Sequence, residues 1–144
     1  MTRIVFASDH GAFELKNDLI LYLKSKHNLE CIDCGVHDAS SVDYPDYADK
    51  VVQTILDQQA DLGILCCGTG IGISIRANRY KGIRAALVYD DFTAEMAKAH
   101  NNANILCFGG RTTTLADAKQ YVDKWLSTPY EGGRHQRRLD KLDQ

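Results

Sequence analysis

Ile64-Leu65-Cys66-Cys67-Gly68-Thr69-Gly70-Ile71-Gly72-Ile73-Ser74 decides the fold. An apolar run carrying two cysteines stops at a Gly-x-Gly-x-Gly loop, and helix-like residues follow. Strand, tight loop and helix in this order expose a row of backbone N–H groups and a helix N-terminus, which can hold an anion or an oxyanion. The loop has a thiol at its entrance, on Cys67, and a hydroxyl in its middle, on Thr69. A base or nucleophile beside an oxyanion hole is an enzyme's layout.

The same alternation extends outward in both directions. Residues 3–8 read as a short buried strand ending at Asp9-His10-Gly11. Phe13, Leu15, Leu19, Ile20 and Leu23 then mark an amphipathic helix, with Lys16, Asn17, Lys24 and Lys26 between them. Further strands are expected at 29–34, 61–67, 84–89 and 104–108. Helices are expected near 46–58, 73–80, 92–100 and 114–127, with a last short one opening at Arg134. Strands alternating with helices predict a parallel sheet covered on both faces. The expected fold is a three-layer, Rossmann-like α/β/α sandwich with a five-stranded parallel sheet, residues 1–144 forming a single domain. Ligands in such sheets sit beyond the carboxyl ends of the strands, at the switch point. Asp9, His10, Cys67, Thr69 and Arg111 all fall at those ends, so strands one and three are expected to be neighbours, with strand two outside strand one.

Composition limits the alternatives. Of 144 residues, 44% are apolar and 25% charged, as in an ordinary globular protein. A net charge of −2 gives no reason to expect nucleic acid or a membrane surface as partner. No apolar run reaches spanning length, and the run after Arg3 is too short for a secretory signal. Five cysteines with no paired C-x-x-C pattern fit a reduced, cytoplasmic protein.

The glycine loop is not a dinucleotide fingerprint, because the third small residue of G-x-G-x-x-G is replaced by Ile73. It is not a Walker loop either, since no Gly-Lys-Ser/Thr follows. Alternation along the strand sends Cys66 and Cys67 to opposite faces. Cys67 adjoins the loop and is the functional candidate, at a helix N-terminus where a thiolate is favoured. Cys66 is expected to pack, and Cys31, Cys34 and Cys107 to be structural. His10 and His100 stand at element edges beside Asp9 and Asn101, and read equally as capping or as catalytic residues. No metal is expected, because the His and Cys residues show no spacing such as His-x-x-x-His. Arg134 and Arg138 lie at i and i+4 on one helical face behind Gly132-Gly133. They read as a phosphate clamp or as a solvated basic turn. Arg111, behind another Gly-Gly pair, is a third candidate.

With these residues assembled, the chain resembles the ribose-5-phosphate isomerase B family, which also contains galactose-6-phosphate and allose-6-phosphate isomerases. The resemblance covers nearly the whole chain. It rests on Ser8-Asp9-His10-Gly11, Asp43-Tyr44-Pro45, Cys67-Gly68-Thr69-Gly70-Ile71-Gly72, Ala77-Asn78, Gly82-Ile83-Arg84, His100-Asn101-Asn102, Gly109-Gly110-Arg111 and Arg134-His135-Gln136-Arg137-Arg138. It implies a cofactor-free, metal-free interconversion of ribose 5-phosphate and ribulose 5-phosphate. By resemblance Cys67 is the base, Thr69 and the N–H groups of Gly68, Gly70, Ile71 and Gly72 stabilise the enediolate, and His100 opens the sugar ring. Asp9 handles a hydroxyl proton, Tyr44 and Asn101 contact the sugar, and His10, Arg111, Arg134 and Arg138 bind phosphate. Some relatives use a glutamate deeper in the loop; that position here is Ile73. The resemblance also implies a homodimer, or a dimer of dimers, that shares its site between subunits. The competing reading is a sugar-phosphate or nucleotide-binding module without catalysis.

Overall fold

The computed structural model describes residues 1–26 and 28–144. Its strands are β1 Thr2–Ser8, β2 Leu29–Asp33, β3 Leu62–Cys67, β4 Ala85–Leu87 and β5 Ile105–Gly109. They form one parallel sheet in the order β2-β1-β3-β5-β4. The helices are α1 Phe13–Lys26, α2 Tyr44–Leu56, α3 Ile71–Ala77, α4 Asp91–Ala99, α5 Leu115–Ser127 and α6 Arg134–Leu142. A single 3-10 turn, His10–Ala12, joins β1 to α1.

Strand alternation builds two cores. Ile4, Phe6, Ile64, Cys66, Leu106 and Phe108 face α1, α4 and α5, with Trp125 at the centre of that layer. Val5, Ala7, Leu65, Cys67, Ile105 and Cys107 face α2 and α3. The three-layer sandwich is therefore as expected, with β1 beside β3 and β2 outside β1. The position of β5 between β3 and β4 was not foreseen. It places the carboxyl ends of β1, β3 and β5 side by side.

Element ends differ from the sequence reading for local reasons. α3 begins at Ile71 rather than Ile73, because Gly70 takes a left-handed conformation (φ +79°) and starts the helix at once. α2 begins at Tyr44, with Pro45 in the first turn where its missing N–H costs nothing. β4 covers only three residues of the expected six. Arg84 gives its backbone N–H to Asn104 Oδ1 at 2.9 Å instead of to a strand. Among the described residues no helix is long and apolar enough to cross a membrane.

Lys16 corrects the helix reading. Expected on the polar side of α1, it is completely buried. Its Nζ lies 2.8 and 3.0 Å from the two carboxylate oxygens of Asp33. Asp33 Oδ1 also accepts the Gly35 N–H at 2.9 Å, so one carboxylate ties α1 to the turn after β2. A buried ammonium is tolerable only when paired in this way. Lys16→Ala should lower stability by about 2–4 kcal/mol, through a cavity and a stripped carboxylate. Lys16→Met, which keeps the volume, should cost less in urea unfolding. Equal losses would place the stabilisation in the ion pair and not in the packing.

Candidate active site

Three loops meet at the carboxyl edge, and backbone hydrogen bonds stitch them together. Asp9 donates its N–H to Cys66 O (3.1 Å), Gly110 to Cys67 O (2.8 Å) and Arg111 to Gly68 O (3.0 Å). The β1, β3 and β5 loops thus continue the parallel ladder past the strand ends. Asp9 caps the 3-10 turn, with Oδ1 accepting the Gly11 N–H at 2.9 Å. His10 Nδ1 accepts the Val42 N–H at 3.2 Å, which leaves the proton of the neutral ring on Nε2. The Arg111 side chain lies along Gly68, its Cδ, Nε and Cζ each 3.8 Å from where a Gly68 Cβ would stand. Tyr44 covers the start of α3.

Inside the loop, Cys67 Sγ accepts the Gly70 N–H at 3.2 Å, and Thr69 Oγ1 accepts the Ile71 N–H at 3.2 Å. Two of the loop donors are therefore directed at the thiol and the hydroxyl. The faces of the two cysteines are those expected from alternation. Cys66 is sealed against the α1 side, and burial pushes its thiol well up, with Cys67 and Asp9 adding to the effect. Cys67, 4% exposed, is on the α2–α3 side with its sulfur turned into the loop. Thr69 and Ile71 are exposed, and Gly68 and Gly72 half-buried.

The remaining candidates are elsewhere. His100 caps the C-terminus of α4, and Asn101 follows. Because α4 runs antiparallel to the strands, both lie at the amino edge of the sheet. Arg84, just before β4, donates to the Asn101 and Asn102 carbonyls at 3.0–3.2 Å. Cys67 pairs with Gly109 and Gly63 with Ile105, so roughly 13 Å of strand separates the two edges at about 3.3 Å per residue. α6 is at the amino edge too, its end tied to the foot of β4 by Arg84 Nη1–Asp143 Oδ2 at 2.9 Å. Arg134 and Arg138 are exposed there, one turn apart. One chain therefore brings together Asp9, His10, Tyr44, Cys67 to Gly72 and Arg111. It does not join them to His100, Asn101, Arg134 or Arg138.

Sequence reasoning missed two residues of the second group. His135 is buried, and its ring stacks on His100 with centroids 4.2 Å apart and planes 16° apart. Burial holds the His135 imidazole below the usual histidine range, with His100 and Arg134 adding and Glu131 opposing. Glu131 stands against both rings, 3.7 Å from His100 Nε2 and 3.9 Å from His135 Nε2. The Glu131-x-x-x-His135 spacing was the available signal. His100, 31 residues before Glu131, is brought in only by the fold.

Known proteins share this arrangement of elements. A sequence profile described as ribose/galactose isomerase matches residues 4–142. The chain belongs to the ribose/galactose isomerase family. It is 42% identical to ribose-5-phosphate isomerase B of Escherichia coli over 142 residues, 99% of this chain and 95% of that one. A ribose 5-phosphate isomerase of Thermotoga maritima superposes with a TM-score of 0.96 at 55% identity, covering 99% of this chain and 97% of its own. The type B ribose 5-phosphate isomerase of Trypanosoma brucei gives a TM-score of 0.95 at 42% identity, covering 99% and 98%. The family members thus span the chain from end to end, and both edges of the sheet belong to the shared fold.

The contact between Tyr44 and the loop can be tested directly. A Cβ at Gly72 would stand 2.5 Å from Tyr44 Cζ and 2.6 Å from its Oη. Gly72→Ala should therefore cost stability in the wild-type chain by overpacking. In a Tyr44→Ala background it should gain stability, as alanine does inside a helix. The cycle should show a coupling of about 1–2 kcal/mol in thermal unfolding. Additivity would mean that Tyr44 does not rest on the loop.

Proposed function

We propose that the chain interconverts D-ribose 5-phosphate and D-ribulose 5-phosphate through an enediolate, with Cys67 as the base. The observation that carries this reading is the Cys67 sulfur at the mouth of the glycine loop, with the Gly70 N–H directed at it. An N–H aimed at sulfur stabilises negative charge there, and a thiolate is the form that can take a proton from carbon. Cys67 removes the C2 proton of the open-chain aldose and returns it at C1. The enediolate oxygen accepts a hydrogen bond from the Thr69 hydroxyl, whose proton is free to donate because Oγ1 already accepts the Ile71 N–H. Asp9 moves the proton between the two sugar oxygens. Tyr44 packs against the sugar, and His10 and Arg111 take phosphate oxygens.

Ring opening needs an acid–base group, and His100 is at the far edge of its own chain. A second copy supplies its His100, Asn101, Arg134 and Arg138 to this site. Exposed apolar side chains support such an assembly: Ile71 and Ile75, one turn apart on α3, and Tyr89 and Phe92 at the start of α4 are each more than half exposed. With phosphate held by arginines of one subunit and His10 and Arg111 of the other, remote binding energy orients the C2 carbon over Cys67.

Ketose formation from ribose 5-phosphate is the assay. Cys67→Ser should lose roughly 10²–10⁴-fold in turnover, the contribution of a positioned base. Cys66→Ser, on the opposite face, should stay within about tenfold and lose stability from a hydroxyl in an apolar core. A dead Cys66→Ser enzyme with a live Cys67→Ser enzyme would remove Cys67 from the mechanism. Mixing Cys67→Ser with His100→Ala chains should restore turnover, since a mixed dimer contains one site intact in both residues. No recovery after confirmed subunit exchange would place both groups in one chain's site.

A further inference from the structure

The His100, Glu131 and His135 side chains come together at the amino edge. We propose that these three residues bind a divalent cation of the Zn²⁺ class, and that occupancy withdraws His100 from the isomerase reaction. The second half of this proposal rests on the role given to His100 above; the binding does not.

One ligand atom from each of His100, Glu131 and His135 lies within 4.8 Å of the other two. The two nitrogen–oxygen distances, 3.7 and 3.9 Å, are too long for hydrogen bonds. Two imidazoles and a carboxylate are a zinc ligand set that leaves a fourth position for water. Tetrahedral ligands about 2.1 Å from zinc sit roughly 3.4 Å apart, so ligand atoms up to 4.8 Å apart must close by as much as about 1.4 Å. Glu131 and His100 are partly exposed and can move. His100 must also tilt, because two nearly parallel rings do not aim their in-plane lone pairs at one point.

His135 gives the independent indication. It is 7% exposed, and its Nε2 is buried, faces Glu131 and has no hydrogen-bond partner among the described residues. A buried imidazole nitrogen without a partner is costly unless something occupies its lone pair. The backbone fixes the set in advance. Glu131 donates its N–H to Ala99 O at 3.0 Å, next to His100, and His135 donates to Gly132 O at 3.1 Å. Nitrogen ligands favour Zn²⁺, Ni²⁺ or Cu²⁺ over Mg²⁺ and Ca²⁺, which prefer oxygen. Arg134 and Arg138 oppose a cation, so ligand chemistry and not net charge must hold it. A metal-bound His100 can neither accept nor donate a proton at Nε2.

The test uses the full chain in its native assembly, dialysed free of metal, and Zn²⁺ titrated against a chromophoric chelator. One Zn²⁺ per chain is expected, with affinity at least tenfold weaker in both Glu131→Gln and His135→Gln. Glu131 is half exposed, so its variant remains informative if His135→Gln fails to fold. Co²⁺ in the same site should give the strong visible absorption of a tetrahedral centre without a sulfur charge-transfer band. A sulfur band, affinity unchanged in Glu131→Gln, or no stoichiometric binding would overturn the site. Zn²⁺ should inhibit ketose formation reversibly, at a concentration raised at least tenfold by Glu131→Gln. Stoichiometric binding lost in the variants but without effect on wild-type turnover keeps the site and overturns the withdrawal of His100.

Discussion

A single backbone torsion, the left-handed φ of +79° at Gly70, holds the carboxyl edge in place. It turns the chain back sharply enough for the Gly70 N–H to reach the Cys67 sulfur, and it starts α3 at the next residue. Space enforces the same choice of residue. A Cβ there would stand 2.7 Å from Leu87 Cδ1 and 2.8 Å from the Phe108 carbonyl carbon. Because the loop fits so closely under β5, the Gly110 and Arg111 N–H groups can bond its carbonyls, and Arg111 lies along Gly68. The thiol, the hydroxyl and the first arginine are thus set by one turn.

The distribution of charge and polarity follows from β3 being central. Side chains along its length are buried on both faces, so Cys66 is sealed in one core while Cys67, at the strand end, is next to the loop. This difference was readable, because period-two alternation is a local property. The strands and helices were readable for the same reason, and β1 beside β3 from the polar residues gathered at the strand ends. Lys16 was not: periodicity gives its angle on α1, but not Asp33, 17 residues later on another element. The insertion of β5 between β3 and β4 was equally hidden, since Ile105–Gly109 would be as apolar in either position. The Glu131–His135 spacing is local, but the approach of His100 to it depends on the end of α4 meeting α6 at the sheet's foot, which local pattern does not carry.

The two edges of the sheet pose a geometric problem for one chain. Groups roughly 13 Å of strand apart cannot act on one small sugar. The proposed second copy would resolve it if related by a two-fold axis, because each contact across such an interface occurs twice. Two half-sites per chain then become two complete sites per dimer. The residues at the amino edge are, on this reading, parts of a neighbour's chemistry. In the proposed assembly, the Arg84–Asp143 anchor of α6 would bear on a reaction performed on another subunit.

The strand order also has a consequence for how the chain acquires its shape. β4 precedes β5 in sequence, yet β5 is the strand it pairs with in the sheet. On a growing chain, β4 and α4 emerge before the strand that will seat them. Until residues 105–109 slot in beside β3, the outer half of the sheet has no ladder to join, and its closure waits on a long-range contact. That one insertion brings the Gly110–Arg111 turn against the loop of β3 and fixes the foot of α4 beside Asn104. The outer half of the sheet thus depends on a contact that bridges from β3 to β5, 38 or more residues further along the chain.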